Sequence, residues 1–180
     1  MPTGDSTADA EERVLIDDAA KGSHDALSSL FELHSAHVYR VAYRLTMSPD
    51  DAEDVVQDVF IGLPEALAAY SRNGGFAAWL RAIAIRTALM RMRSRRRRAA
   101  TAARASTETQ ATDSDGSLDR VAIAAALSSL ASDLRVVFML SDVEGYSHAE
   151  IGKLLGIRAG TSEVRLHRAR RKLRALLGDQ

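Results

Sequence analysis

Three clusters of charged residues in this 180-residue chain combine residue types and spacings that could do chemistry. Asp50, Asp51, Glu53, Asp54 and Asp58 crowd one short stretch, with Asp54 and Asp58 one helical turn apart. Such a pair can ligate a metal or move a proton, but no histidine completes a ligand set, so the cluster reads as a docking or solvated face. Arg72, Arg81, Arg86, Arg91, Arg93 and Arg95 to Arg98 form a second cluster beside Trp79 and the neighbouring Tyr70. Arginines neutralise phosphates and aromatic rings stack on exposed bases, a composition suited to binding strands, although Phe76 and Trp79 read first as core. The third cluster, Arg165, His167, Arg168, Arg171, Lys172 and Arg174, lies near the C-terminus. His34 and His37 are three apart without an obvious third ligand and read as ordinary surface or boundary histidines. No cysteine is present, which excludes disulfides, thiolate metal sites and cysteine nucleophiles. With no constellation of nucleophile, base and oxyanion donor, the reading is a binding protein with no cofactor, no metal and no catalytic residue.

The third cluster needs the most specific scaffold. Gly145 to Leu177 reads as a helix-turn-helix. Ser147-His-Ala-Glu150 offers a capping box, Ile151, Leu154 and Leu155 share one face, and Gly156 supplies a turn out of the helix. Ile157 plugs the angle, Arg158-Ala159-Gly160 completes a short turn, and Gly160 or Thr161 caps a second helix with Leu166, Ala169, Leu173 and Leu176/Leu177 buried. The N-terminal part of such a helix enters the major groove, and basic residues beyond it hold phosphates. Upstream, Leu118 to Leu130 and Ser132 to about Glu144 form two supporting helices with Leu127, Leu130, Leu134, Val137, Phe138 and Leu140 as core.

In the first half, residues 1 to about 12 read as a frayed tail, and a short helix from Arg13 to Ala20 breaks at Lys21-Gly22. A long helix follows from a cap at Ser23 to about Thr46, with Leu27, Leu30, Phe31, Val38, Val41, Ala42 and Leu45 at helical spacing. Ser48-Pro49-Asp50-Asp51 is a strong helix start that presents the acidic cluster outward and Val55, Val56, Val59 and Phe60 inward. Gly62-Leu63-Pro64 interrupts that helix, residues 71–75 form a loop, and the arginine-rich helix begins at Phe76 with Leu80, Ile83, Ala84, Ala88 and Met92 on its apolar side. Residues 99–117 are rich in Ala, Thr, Ser and Asp and read as a linker. The expected fold is therefore all-α: a tail and short helix over 1–22, a helical domain over 23–98, the linker, and a second domain over 118–180.

Composition agrees. Apolar residues make up 46% of the chain but aromatic residues only 5%, which favours alanine-rich helices. No apolar run is long enough for a membrane span and the N-terminus lacks the pattern of a signal peptide, so a soluble, cytoplasmic protein is expected. The zero net charge hides a sorting of sign along the chain. Residues 1–70 hold 4 basic and 14 acidic groups, net −10, and residues 71–104 hold 10 basic and none acidic, net +10. Residues 105–144 hold 2 basic and 7 acidic, net −5, and residues 145–180 hold 8 basic and 3 acidic, net +5. Two basic blocks between acidic ones suggest two nucleic-acid contacts and an acidic surface for a protein partner.

In that order, over roughly residues 23–177, these motifs resemble the extracytoplasmic-function (ECF) subgroup of the bacterial sigma-70 family. DDAEDVVQDVF is similar to the helix that docks on the clamp helices of the largest RNA polymerase subunit, which implies core-binding roles for Asp51, Glu53, Asp54, Gln57, Asp58 and Phe60. FAAWLRAIAIRTALMRMRSRRRR resembles the helix that melts and reads the minus-ten promoter element, implicating Tyr70, Arg72, Asn73, Trp79, Arg86, Arg91, Arg93 and Arg95. The helix-turn-helix resembles the reader of the minus-thirty-five element, implicating Thr161, Glu163, Val164, Arg165, His167, Arg168 and Arg171. The resemblance further implies contacts with the polymerase flap, promoter DNA as ligand, an anti-sigma factor as a further partner, and a linker near the RNA exit path with Glu108, Asp113 and Asp115 in space later taken by RNA.

The chain departs from the family pattern at informative places. Arg86 stands where the family often has Asn, Met90 where it often has Asp, and Pro64 where a bulky aromatic residue is common after the docking motif. In the recognition helix, Glu163 replaces a basic residue and Val164 a small polar one. Glutamate can accept from cytosine N4 and valine can touch a thymine methyl, so both changes bear on sequence preference; Glu163 equally suits the positive end of the helix dipole. A free-standing helix-turn-helix regulator is the alternative, but it needs neither the acidic helix nor a second basic block.

Overall fold

The computed structural model describes the backbone of residues 5–71, 75–102 and 118–178, and side chains within those segments except 5–9, 100–102 and 118–121. Among the described residues every regular element is helical, and they fall into two compact units, Met1–Arg97 and Arg98–Gln180.

The first unit contains α1 (Asp5–Ala20), α2 (His24–Thr46), α3 (Pro49–Ile61), α4 (Leu63–Leu67) and α5 (Phe76–Ala102), the last running just past its end. α1 starts earlier than the expected Arg13, and Glu12, expected in a frayed tail, bonds His34 Nε2 at 2.9 Å. Gly22, with φ +91, turns the chain into α2, where Ser23 caps as expected by accepting from the Ala26 amide. α2 ends on Met47 in the left-handed region, φ 55, and Ser48 then caps α3 by accepting from the Asp51 amide, with Pro49 in the first turn. α2 packs on α1 and α3, and α4 on α1 and α3. The core combines Ile16 and Ala19, Leu30, Val38, Val41 and Leu45, Ala52, Val55 and Val59, Leu63, and Phe76, Leu80, Ala84, Ile85, Ala88 and Leu89. Phe31, expected in this core, is 45% exposed, while Ile85 and Leu89 lie deeper than the sequence pattern indicated. Val56 and Phe60, expected inward, are half-buried at the edge.

The second unit contains α6 (Leu118–Ser128), α7 (Ser132–Phe138) with a π-helical continuation over Met139–Val143, α8 (His148–Leu155) and α9 (Ala159–Leu177). α9 packs on α6, α7 and α8. Leu130, Val137, Leu140, Ile151, Leu166, Ala169 and Leu173 are buried, and Leu127, Leu134 and Phe138 pack, partly buried, against the cluster of Ala126, Leu130, Ala169 and Leu173. Leu176 and Leu177, expected in the stripe, are 42% and 38% exposed, Leu177 lining an open groove with Phe138 and Asp142. Arg135 is a buried cation, and its Nη1 donates to the Leu130 carbonyl at 3.3 Å at the end of α6. Lys172 Nζ donates to the Ser129 carbonyl at 2.8 Å, so α7 and α9 both supply cations where a helix leaves its carbonyls unsatisfied. Burial lowers the pKa of Arg135, whose Nε is buried without a partner.

Candidate nucleic-acid and protein interfaces

The capping box at Ser147 fixes the start of α8. The Ser147 amide donates to Glu150 Oε2 at 2.9 Å, and the Glu150 amide donates to Ser147 Oγ at 3.3 Å. The Ser147 hydroxyl also donates to Glu150 Oε2 at 2.6 Å, and this bond first, then the one from the Ser147 amide, holds the Glu150 carboxyl below its usual range. Gly156 ends α8 in the left-handed region, φ 68, as the sequence indicates. The turn to α9 is shorter than expected: Arg158 is the N-cap, without a side-chain cap bond, and Ala159 and Gly160 already lie in the helix instead of Gly160 or Thr161 capping it. The turn is tight because of Gly152, where a Cβ would fall 2.8 Å from the Ile157 carbonyl oxygen. A glycine inside an eight-residue helix is the sequence signal for such a close approach, and it passed unread.

α9 separates its side chains sharply. Ser162, Leu166, Ala169 and Leu173 face the core. Thr161, Glu163, Val164, His167, Arg168 and Arg171 are exposed. Val164 is 51% exposed, with nothing in the fold requiring an apolar residue there. Arg165 turns away to Asp133 of α7, Nε to Oδ2 at 3.4 Å, and Arg170 makes a bidentate pair with Asp142 at 2.7 and 2.8 Å. The expected contact set is thus brought together on one exposed surface except for Arg165. Ser162, which sequence reasoning left without a role, is fully buried and lies 2.9 Å from His148 Nδ1, tying α9 to the start of α8.

In the first unit the acidic helix α3 presents two different sides. Asp51, Asp54 and Asp58 face α5: Arg91 donates from Nη1 to Asp54 and from Nε to Asp58, both at 2.5 Å, and Arg95 pairs with Asp51. Hydrogen bonding to Asp58, ahead of the other charge interactions, raises the pKa of Arg91 despite partial burial. Glu53, Val56 and Gln57 instead line an open groove of about 670 Å³ with Phe31, Tyr39 and Arg40 of α2. Gln57, Phe60 and Ile61 line a second groove of about 520 Å³ with Leu27 and Phe31. Phe31 meets Phe60 edge to face at 4.9 Å between centroids, and Ile61 is 71% exposed. Burial, then Glu53, raises the Tyr39 pKa, which keeps its hydroxyl protonated. Phe31 reads as core from the sequence and Tyr39 carries no sequence signal, because each sits one position beyond the buried Leu30 or Val38, on the edge of the same apolar stripe.

The expected minus-ten residues also divide. Arg72 and Asn73 lie outside the described residues. Tyr70 and Trp79, 4.8 Å apart, pack with Phe76, and Trp79 is half-buried in this cluster. Arg86, Met90 and Arg93 recur on the exposed side of α5, with Met90 60% exposed, whereas Arg91 and Arg95 point to α3. Among the described residues no group of acidic or histidine side chains could hold a metal ion, and no helix is long and apolar enough to cross a membrane.

Comparison with known proteins places both units. Residues 30–98 match the family described as Sigma-70 region 2, and residues 120–173 match Sigma-70, region 4. The chain is 35% identical to the ECF RNA polymerase sigma factor SigE of Mycolicibacterium smegmatis, the match covering 98% of this chain and 68% of that one. It is 38% identical to the RNA polymerase sigma factor CarQ of Myxococcus xanthus, covering 88% of this chain and 92% of that one. Among solved structures, the sigma factor RpoE of Bartonella quintana, in complex with the anti-sigma factor NepR, matches with a TM-score of 0.62 at 27% identity, covering 84% of this chain and 96% of that one. CnrH, in complex with the cytosolic domain of CnrY, matches with a TM-score of 0.54 at 32% identity, covering 94% of this chain and 98% of that one.

Proposed function

The chain belongs to the sigma-70 family, in its ECF subgroup, and from that premise we propose a residue-level division of labour for a sigma factor that binds core RNA polymerase and directs it to promoters. Residues 23–98 form the unit that docks on polymerase and reads and melts the minus-ten element. Residues 118–180 bind the minus-thirty-five element, and residues 99–117 tether the two; of that tether, residues 103–117, with Glu108, Asp113 and Asp115, lie outside the described residues. Sigma factors are non-enzymatic initiation factors, so the chemistry of RNA synthesis is the polymerase's, and the chain works beside it in the bacterial cytoplasm.

The observation that carries this reading is the exposed surface of α9, Thr161, Glu163, Val164, His167, Arg168 and Arg171, set on a capped α8 and a tight turn. In a major groove, Glu163 and Val164 in the first turns meet base edges and Arg168 and Arg171 meet phosphates. In the first unit, Arg86, Met90 and Arg93 form the outward face for the minus-ten strand, with Tyr70 and Trp79 at the mouth of the preceding loop. Capturing a base there costs unstacking energy of a few kcal/mol, which stacking and phosphate contacts offset. Glu53, Gln57 and Phe60, with Phe31, Tyr39 and Val56, give polymerase an apolar groove with charged edges, and Asp51, Asp54 and Asp58 form a separate acidic row on the side of the same helix that faces α5. The solved relative from Bartonella quintana is held by an anti-sigma factor, and the same kind of partner is proposed here, seated on this groove.

Run-off transcription with core polymerase on a fragmented genome tests the reading. Specific, protein-dependent transcripts sharing two upstream elements are the expected result. Tight duplex binding without core polymerase, together with no transcripts, would instead make the chain a free-standing regulator.

A further inference from the structure

The ion pairs between α3 and α5 join the two functional surfaces of the first unit. Asp51, Asp54 and Asp58 stand in a row along α3, and Arg91 and Arg95, one turn apart, run along the facing side of α5. Arg91 uses two nitrogens on two different carboxylates, and Arg95 takes the third. Arg86 and Arg93 of the same helix lie on its exposed side. Three carboxylates thus engage the guanidinium groups of Arg91 and Arg95. A phosphate must displace these carboxylates to reach Arg91 or Arg95.

We propose that this network is a latch in the free chain, in which the carboxylates of the docking helix withhold Arg91 and Arg95 from DNA until a basic surface on polymerase takes the carboxylates and the two arginines pass to promoter phosphates. The inference rests on the reading of α3 as the polymerase-docking helix. Exposure makes the latch reversible. The side chains of Arg91, Asp54 and Asp58 are 33%, 51% and 44% exposed, so each pair is weak and exchanges partners without a large desolvation barrier. Three weak pairs held at fixed spacing still close the latch in the absence of a competitor. Docking and promoter binding are then coupled: whatever occupies the carboxylates raises the affinity of α5 for DNA, and DNA on α5 raises the affinity of α3 for its partner by the same factor.

The test uses the full-length free chain and a short labelled DNA single strand, with binding followed by fluorescence anisotropy across a salt series. The triple variant Asp51→Asn, Asp54→Asn, Asp58→Asn is expected to bind about tenfold more tightly than wild type, with the salt slope steeper by about 1.4 for two added phosphate contacts. Asp50→Asn, which removes a charge from the same helix outside the network, controls for bulk charge. In an Arg91→Gln, Arg95→Gln background the triple substitution is expected to give no more than the bulk effect of three removed charges, the control's fold-change cubed. A tenfold gain that survives in the Gln background, or no gain at all, overturns the latch. Should the triple variant melt below the assay temperature, Asp58→Asn alone carries the test, with a smaller gain expected and none overturning the proposal. With polymerase bound, Arg91→Gln, Arg95→Gln is expected to flatten the salt dependence of promoter binding, and an unchanged slope there sinks the hand-over to phosphates. Wild-type run-off transcription reports docking separately. Core-dependent transcripts with no gain in free-chain binding remove the latch alone, whereas a gain without such transcripts removes the docking reading and with it polymerase as the opener.

Discussion

Ser162 and Glu163 are neighbours with opposite fates, and the proposed reading of the promoter draws on both. Ser162 is fully buried and bonded to His148, so it sets how α9 leaves the turn, while Glu163 stands exposed at the start of α9, where a base edge can reach it. Ser162→Ala deletes the bond within a packed junction and is expected to destabilise the second unit by about 1 kcal/mol, read from chemical denaturation of the full chain. Glu163→Lys is expected to change which upstream element is preferred, because it replaces an acceptor suited to cytosine N4 with a donor. Selection from a randomised promoter library checks this: a uniform gain on all sequences would reduce Glu163 to a helix-dipole contact worth about 0.3–1 kcal/mol. Exposure alone distinguishes the two residues, and alternation along a helix could have suggested it, had the start of α9 been placed at Ala159.

At the scale of elements, the helix-turn-helix depends on one cap and one close approach. Gly152→Ala would bring a Cβ to 2.8 Å from the Ile157 carbonyl oxygen, so the turn must move despite alanine's better helix propensity. The expected outcome is a lower Tm together with a large loss of minus-thirty-five binding, measured by melting and by holoenzyme binding to duplex DNA. The Glu150 carboxyl, whose pKa is lowered by its bonds to Ser147, contributes stability above its unfolded pKa that is lost as pH falls through the lower folded value. Glu150→Gln keeps a capping side chain but does not titrate, so it should flatten the decline in Tm on acidification below the usual glutamate range. An unaltered acid profile would show that the cap does not govern it. α3 teaches a related lesson. Its acidic residues read as a single outward face, yet the helix is flanked by α2 on one side and α5 on the other, and each neighbour claims a different subset.

At the scale of the whole molecule, two units with separate cores divide one task. Arg86 belongs to the first and Glu163 to the second, with no shared partner, so their contributions to promoter affinity should be independent. Arg86→Asn is expected to alter preference only within the minus-ten element, Glu163→Lys only within the minus-thirty-five element, and the double variant to show their summed effects to within about 0.5 kcal/mol. Competition binding of holoenzymes to promoters altered at one element at a time measures this. Non-additivity beyond that margin would show that the two readings are coupled through polymerase or DNA.

The sequence by itself determined the all-α class, the caps at Ser23, Ser48 and Ser147, the exit at Gly156 and the order of acidic and basic blocks. Those features are local: a cap or a helical period acts over one or two turns, and charge is counted without knowing where the chain folds. Only the tertiary structure decided which arginines of α5 face outward and which meet α3, that Phe31 sits in a groove instead of the core, and that Ser162 is buried while Val164 is not. Those outcomes depend on which helix lies against which, and residues more than 30 positions apart, such as Asp58 and Arg91, become neighbours only through packing. The helix-turn-helix was legible as a motif, but Glu163 and Val164 are candidate base readers because the fold leaves them exposed, while it turns Arg165 toward Asp133.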